Sequence, residues 1–245
     1  MQMHWLLMTN TNPISISPIG FIRSPYREKF AVPRQPGLAP DAVSVIEFYP
    51  PYNDELAFEG IDGFSHIHVI FLFDKIDYQK FKPKVRPPRL GGNVSVGVFS
   101  TRSPFRPNRL GLSILKINRV IREKGKVSLE VLGADLVDNT PIIDIKPYIP
   151  FVDSVPDAVG GFASASPPMH EVVFENDTES ILKTLGEQRY KAVCQTLSQD
   201  PRPAYKDDTD EKIYVVKIYS FAINFKVKDS RIHVFNVNID GETSC

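Results

Sequence analysis

The chain has 245 residues, 42% of them hydrophobic, with 29 basic and 29 acidic side chains and hence a formal net charge of zero at pH 7. This length allows one large domain, or one domain and a small one, and no apolar run approaches the length of a membrane span. The two cysteines, Cys194 and Cys245, exclude a disulfide framework. Because the apolar start at residues 1–8 also lacks the features of a signal peptide, we expect a cytoplasmic protein with no membrane partner.

The neutral total hides a basic stretch. Residues 75–126 hold 14 Lys and Arg against two acids, Asp77 and Glu123. Prolines and a glycine pair at 91–92 predict that 80–92 is an exposed arm rather than a helix. The stretch is typical of a surface that binds a polyanion, and the alternative is a solvated basic face without a partner.

Short alternating strands follow one another through the first 150 residues. The pattern predicts strands at 14–23, 42–49, 64–73, 112–121, 126–132 and 140–148, and a further strand through Val94, Val96 and Val98. Six or seven short strands with frequent turn signals predict a mainly β fold, a small barrel or sandwich. No long helical pattern interrupts them, which excludes a doubly wound sheet.

The last third of the chain has a different pattern. Residues 153–168 are rich in small residues, Gly and Pro, and predict a linker. One helix follows, capped at Asn176 or Asp177, and then strands within 212–239 with a turn near Asp229. We therefore predict a β-barrel domain over 14–155 and a small α+β domain over 169–245.

The stretch 95–113 carries the strongest chemical signal. Arg102, Arg106 and Arg109 fall within eight positions, in a segment that two prolines and a glycine break into a rigid, irregular loop. Arginine holds a carboxylate or phosphate through two parallel hydrogen bonds, and the ring of Phe105 can stack. The loop suits a ligand that is both anionic and aromatic, and the alternative is a solvated turn whose arginines pair with nearby acids.

Two polar sets are candidates for chemistry. His66 and His68 share one face of a strand, but without an obvious third ligand we expect barrel-lining or hydrogen-bonding histidines and no metal site. Asp135, Asp138 and Asp144 cluster within 132–148, although turn chemistry can account for Asp138. A carboxylate here can accept a proton or hold a ligand. Neither nucleotide-binding fingerprint is present.

Four motifs in order carry a resemblance to a known family. PRQPGL (33–38), GFSHIHVIF (63–71), GVFSTRSPFRPNRLGLS (97–113) and LGADLVDNTPIIDIKPY (132–148) closely resemble the TsaA-like family, in its branch of bacterial tRNA methyltransferases. The match runs roughly from Ile16 to Ser154, and DPRPAY (200–205) resembles the family's C-terminal motif.

The resemblance implies a fold and an activity. Members use S-adenosyl-L-methionine to methylate N6 of threonylcarbamoyladenosine at position 37, beside the tRNA anticodon. They have a non-Rossmann β-barrel and work as homodimers, with the cofactor site near the subunit contact. The rival hypotheses are a non-catalytic RNA-binding barrel and a methyltransferase for a small acidic metabolite.

The resemblance also implies site residues. The expected cofactor pocket consists of Pro33, Arg34, Gln35, Ser65, His66, Arg102, Leu112, Leu132, Gly133, Ala134 and Asp135. N6 of this substrate is a poor nucleophile while it carries its proton, so a base is needed, and Asp135, Asp138 and His66 are unranked candidates. For the tRNA we expect Phe105 to stack on the base, Arg106 or Arg109 to hold the threonyl carboxylate, and Asn108 and Lys146 to complete the set.

Overall fold

A computed structural model describes residues 14–76, 81–203, 205–206, 209–210 and 212–239. Its strands are β1 (Gly20–Arg23), β2 (Val43–Phe48), β3 (His66–Leu72), β4 (Lys84–Val85), β5 (Val96–Gly97), β6 (Leu110–Glu123), β7 (Lys126–Leu132), β8 (Thr140–Pro147), β9 (Glu171–Phe174), β10 (Tyr214–Ile218), β11 (Phe221–Lys228) and β12 (Arg231–Ile239). Its α-helices are α1 (Pro150–Asp153), α2 (Thr178–Lys183) and α3 (Glu187–Ser198). No helix in the described ranges is long and apolar enough to cross a membrane.

Six strands close into a barrel in the order β1-β2-β7-β6-β3-β8, with every neighbouring pair antiparallel. Alternation places one set of side chains inside, as in β3, where Ile67 and Val69 are fully buried while His66 and His68 point outwards. The two histidines therefore do not line the barrel interior. The prediction of a mainly β fold built on a small barrel is confirmed.

A second sheet follows, in the order β10-β11-β12-β9, with α2 and α3 packed near it. β9 is parallel to β12, and the other pairs are antiparallel. Its core also contains Tyr26, Ala31, Ala39 and Ala42, which belong to the long loop between β1 and β2. This loop is therefore held between the two sheets. The predicted division into domains at 155 and 169 stays a prediction, although all residues from 151 to 166 are exposed.

Three predicted elements differ from the structure. β1 begins only at Gly20, after Pro18, which has no N–H to give to a ladder. Instead of a strand through Val94–Val98, only Val96–Gly97 pairs with β4, and a 3-10 turn follows at Val98–Ser100, where the Thr101 N–H donates to the Val98 carbonyl. The single predicted helix is two, because Gly186 at φ 85° interrupts it.

Gly133 joins the loop after β7 to the loop between β1 and β2. Its N–H donates to the Ala42 carbonyl at 2.9 Å, and its own carbonyl accepts from the Gly37 N–H at 2.8 Å. Its φ of 74° lies in the left-handed region, and a Cβ there would stand 3.2 Å from the Gly37 Cα. Neither the dihedral angle nor the space suits a side chain.

We expect Gly133→Ala to lower the free energy of unfolding by about 2–3 kcal/mol, since it combines left-handed strain of roughly 1–2 kcal/mol with a backbone clash. Urea unfolding measures the change. Gly125→Ala is the matched control, with φ 72° but no atom within 4 Å of the added Cβ, and should cost only the strain. Equal losses in the two variants would contradict the close packing of Gly133 on Gly37.

Candidate active site

A cavity of about 530 Å³ opens at one end of the barrel, within the usual size range of ligand sites. It lies where β3 ends and β6 and β8 begin, and two loops complete it, 32–35 before β2 and 101–106 before β6. The apolar side chains in its wall include Val32, Phe71, Phe73, Leu110, Leu112 and Leu136. The charged ones are Lys29, Arg34, Asp74, Lys75, Arg102, Arg106 and Asp135.

Asp135 is the carboxylate at the centre of this wall. The surrounding protein removes water from it and raises its pKa from 3.8 to about 6, which outweighs the opposing effects of a hydrogen bond from Ser113 and the charge of Arg102. The Ser113 Oγ donates to the Asp135 Oδ1 at 2.6 Å. A carboxylate with a pKa this close to neutral is suited to accepting a proton at physiological pH.

Two arginines of the Pro-rich loop stand at the cavity. Arg102 donates from Nη1 to the Gln35 Oε1 at 2.6 Å, which joins the two loops that border the cavity. Arg106 donates from Nη1 to the Thr101 carbonyl at 3.0 Å. Each bond uses one of the five guanidinium N–H groups, so both side chains keep donors for an anionic ligand. The cavity is therefore rich in cations around one buried carboxylate.

Seven of the site residues expected from sequence line this cavity, namely Pro33, Arg34, Gln35, Arg102, Arg106, Leu112 and Asp135. Leu132, Gly133 and Ala134 lie behind it and support the loop that carries Asp135; Ala134 is fully buried. Phe105 (41% exposed) and Asn108 lie on the outside of the Pro-rich loop. Arg109 adopts φ 52°, and its carbonyl accepts from the Phe73 N–H at 2.8 Å.

Ser65 and His66 lie far from the cavity of their own chain. His66 begins β3, and Phe71 in the cavity wall is five residues further on, about 17 Å at the rise of a strand. The Ser65 Oγ and the His66 Nδ1 are 2.8 Å apart, and the His66 ring packs against Tyr148. Lys146 pairs with His68 in the β3–β8 ladder and is exposed on the same outer side of the barrel.

Asp138 has a local structural role. Its Oδ1 accepts from the Ser24 N–H at 2.9 Å, and its Oδ2 accepts from the Asn139 Nδ2 at 2.8 Å. It does not line the cavity. Of the three candidate proton acceptors, geometry therefore favours Asp135 over Asp138 and His66.

Several cavity residues were not predicted from the sequence. Phe71 and Phe73 had the pattern of core residues, and their rings pack edge to face at 5.0 Å in the cavity wall. Lys29 and Lys75 had no motif around them. Ser113 is the one position at which the sequence held a usable signal, because it is a polar residue within the apolar run 112–115. In the structure it is buried, with 2% of its surface exposed.

Comparisons with known proteins show the family of this chain. The family model of the tRNA-methyltransferase O N-terminal domain matches residues 21–154, and the TrmO C-terminal domain matches residues 167–240. The chain is 45% identical to a tRNA (adenine(37)-N6)-methyltransferase of Escherichia coli K12, over 89% of this chain and 94% of that protein. It is 42% identical to a protein of Pseudomonas aeruginosa PAO1 named putative S-adenosylmethionine-dependent methyltransferase RcsF, over 86% and 91%.

The fold agrees as well. A crystal structure of TrmO from Pseudomonas aeruginosa superimposes with a TM-score of 0.75 and 34% identity, over 92% of this chain and 98% of that one.

Proposed function

Because this chain belongs to the tRNA-methyltransferase O family, we propose that it transfers a methyl group from S-adenosyl-L-methionine to N6 of adenosine 37 in tRNA. The target nucleoside in this proposal carries the threonylcarbamoyl group. The observation that supports it most is the single cavity wall that combines a near-neutral carboxylate, Asp135, with two arginines, Arg102 and Arg106. An enzyme acting on tRNA meets its substrate in the cytoplasm, which is where we expect it to work.

The residues of the cavity fit such a cofactor. Asp135 suits its positive charges, Arg102 suits its carboxylate, and the rings of Phe71 and Phe73 offer an apolar surface for adenine. When bound, S-adenosyl-L-methionine supplies a methyl carbon that is already activated by a positively charged sulfur. What remains for the protein is to align the nucleophile and to remove its proton.

Asp135 is the group that removes this proton. N6 of threonylcarbamoyladenosine is a ureido nitrogen whose lone pair is delocalised, so it attacks poorly while protonated. Ser113 holds the carboxylate in place, and the charge of Arg102 limits the rise of the Asp135 pKa, so the carboxylate is mostly ionised at neutral pH. The aspartate thus accepts the N6 proton as the carbon–nitrogen bond forms.

The cofactor site is tested first. We expect Arg102→Ala to weaken S-adenosylhomocysteine binding at least tenfold in calorimetry, since it removes a charge-assisted bidentate contact. It also removes the bond to Gln35 that joins the two loops. Arg89→Ala is the control, because Arg89 is exposed on the basic arm and does not line the cavity. Unaltered affinity in Arg102→Ala would contradict the cofactor assignment.

The basic surface is suited to the anticodon loop. The positive stretch 75–126 contributes Arg102 and Arg106 to the cavity and Lys82, Lys84 and Arg86 to the arm beside it. Cations next to a site that accepts one nucleotide can follow the phosphates on either side. Bases of the anticodon loop are already unpaired, so entry of the target base costs little free energy.

A homodimer is part of the proposal. The outer face of β6 exposes Leu112 (55%) and Ile114 (42%), which pair with Ile70 and His68 of β3. If Ser65 and His66 belong to the cofactor site, as the family motif implies, they must come from a second copy, because they lie about 17 Å from the cavity of their own chain. Apolar exposure on this face is consistent with a subunit contact.

We expect Ile114→Glu to halve the mass measured by analytical ultracentrifugation. Dimerisation of this variant would require an unpaired carboxylate to be buried in the subunit contact, which disfavours the dimer. S-adenosylhomocysteine affinity should fall in the same variant, since the cavity loses the partner's residues. Lys126→Glu, which changes charge at the far end of the β6–β7 hairpin, is the control. A dimer that persists in Ile114→Glu would contradict this surface.

A further inference from the structure

A second cavity of about 420 Å³ lies directly beside the first. Three separate segments enclose it: 29–34 of the loop between β1 and β2, the basic arm at Arg86 and Gly92, and the C-terminal part at Thr196, 199–203 and Tyr205. Lys29, Val32, Pro33 and Arg34 line both cavities and form a shared wall. A ligand that extends from the first cavity into the second therefore contacts this shared wall, which includes Arg34.

The second cavity has a surplus of positive charge. Lys29, Arg34 and Arg86 contribute side chains, and none of them forms an ion pair with an acid among the described residues. The carboxylate of Asp200 is already neutralised, because Arg202 donates to it from Nε at 2.9 Å and from Nη2 at 2.8 Å. Three cations from two segments, 29–34 and the basic arm, surround one space, which is typical of a site for an anion.

The same cavity offers a surface for a ring, and Gln199 in its wall is held in place. Tyr205 is 65% exposed, and its ring faces Gly92, where an added Cβ would lie 3.9 Å from it. Gln199 fixes its Nε2 on the Leu38 carbonyl at 3.2 Å, while its Oε1 is buried without a partner among the described residues. An aromatic face beside cations is the combination that binds single-stranded RNA.

We propose that the second cavity binds the nucleotide adjoining the target in the RNA chain, with its phosphate on Arg34, Arg86 and Lys29 and its base against Tyr205. The inference rests on the proposed function, since it places the target nucleotide at the first cavity, beside the bound cofactor. Arg34 then separates two consecutive nucleotides. Its Nη2 donates to the Arg202 carbonyl at 3.0 Å, so the C-terminal part fixes the dividing residue.

This arrangement gives the C-terminal part a task in substrate choice. A free modified nucleoside can fill the first cavity but leaves the second one empty, so it loses the phosphate and stacking contacts. The enzyme then selects a nucleotide within an RNA chain over the free nucleoside, and it does so without reading distant parts of the tRNA.

The test uses the full-length protein and a fluorescein-labelled anticodon stem-loop RNA that carries threonylcarbamoyladenosine. Arg86→Ala should weaken binding in fluorescence anisotropy about five- to tenfold at low salt and lower the salt slope by about one. Tyr205→Ala should weaken it about tenfold with the slope unchanged, as expected for a stacking contact. Arg89→Ala is the control, an exposed arginine of the same arm that lines neither cavity.

S-adenosylhomocysteine affinity and the thermal unfolding midpoint should stay as in the wild type for Arg86→Ala and Tyr205→Ala, which separates this site from the cofactor site. A 5-iodouridine next to the target should crosslink to the peptide containing Tyr205. RNA affinity and salt slope equal to those of Arg89→Ala would overturn the inference, as would crosslinks confined to other surfaces. Failure of the wild type to methylate an RNA that it binds would count against the proposed function, and the RNA affinities would still decide the inference.

Discussion

Asp135→Asn is expected to lose methyl transfer by a factor of about 10²–10⁴, the usual contribution of a general base, while becoming more stable than the wild type at pH 8. The amide cannot accept the N6 proton, but its oxygen can still accept the hydrogen bond from the Ser113 Oγ. Single-turnover methyl transfer at saturating cofactor measures the first effect, and urea unfolding measures the second.

The stability change follows from the raised pKa of Asp135. Its pKa is about 6 in the folded protein against 3.8 as the ordinary value. Between these values the folded state binds more protons than the unfolded state, so stability falls as pH rises from about 4 to 6. Above pH 6 the wild type carries the full penalty, on the order of 1–3 kcal/mol, and the amide does not. The same pKa predicts a wild-type rate that rises with pH, is half-maximal near pH 6 and levels off above it.

Asp138→Asn is the matched control, because Asp138 holds backbone and side-chain partners away from the cavity. It should lower stability and leave the pH profile of the rate unchanged. If Asp135→Asn kept its rate and lost only cofactor affinity, Asp135 would be a cofactor anchor and not the base. A wild-type rate that is independent of pH between 5 and 8 would also contradict the assignment.

The second large effect concerns substrate choice at Arg106. We expect the wild type to methylate tRNA with the threonylcarbamoyl group at least about 30-fold faster than matched tRNA without it. An arginine that awaits a carboxylate is left unpaired when the carboxylate is missing, which costs on the order of 2–5 kcal/mol. We use the lower end of this range because Arg106 is only half-buried. Arg106→Ala should lose activity mainly on the modified tRNA.

Arg109→Ala separates the two candidate arginines. Arg106 lines the cavity and Arg109 does not, so Arg109→Ala should keep the discrimination between the two tRNAs. Equal wild-type rates on both tRNAs would show that the threonyl carboxylate is not read. Discrimination that survives in both variants would move the contact elsewhere, with Lys146 of a partner copy as the next candidate.

Local patterns in the sequence predicted most of the barrel strands. The alternation at Ile67 and Val69 predicted β3 correctly, because successive side chains of a strand point to opposite faces of the sheet. The alternation at Val96 and Val98 did not predict a longer strand correctly, because the chain turns at Val98, whose carbonyl accepts from the Thr101 N–H. The closing contacts β1–β8 and β3–β6 join residues far apart in sequence, so no local pattern contains them.

The residues of the candidate site were predicted in part, as the strands were. Arg102, Arg106 and Asp135 stand in long motifs of distinctive residue types, and these motifs meet at one cavity. Phe71 and Lys29 could not be found, because a core-like ring and a loop lysine become site residues only through the closure of the barrel. His66 stands in a motif as clear as that of Arg102, yet it lies at the end of β3 away from the cavity. The motif could not predict this, because the sequence does not show which end of a strand lies next to which loop.

We propose that the enzyme methylates N6 of threonylcarbamoyladenosine 37 at the barrel cavity. The most direct measurement is mass spectrometry of nucleosides from tRNA incubated with the enzyme and S-adenosyl-L-methionine carrying a deuterated methyl group. The account predicts one labelled methyl on threonylcarbamoyladenosine with the wild type and almost none with Asp135→Asn. Label on another nucleoside, or no label in tRNA that the wild type binds, would contradict it.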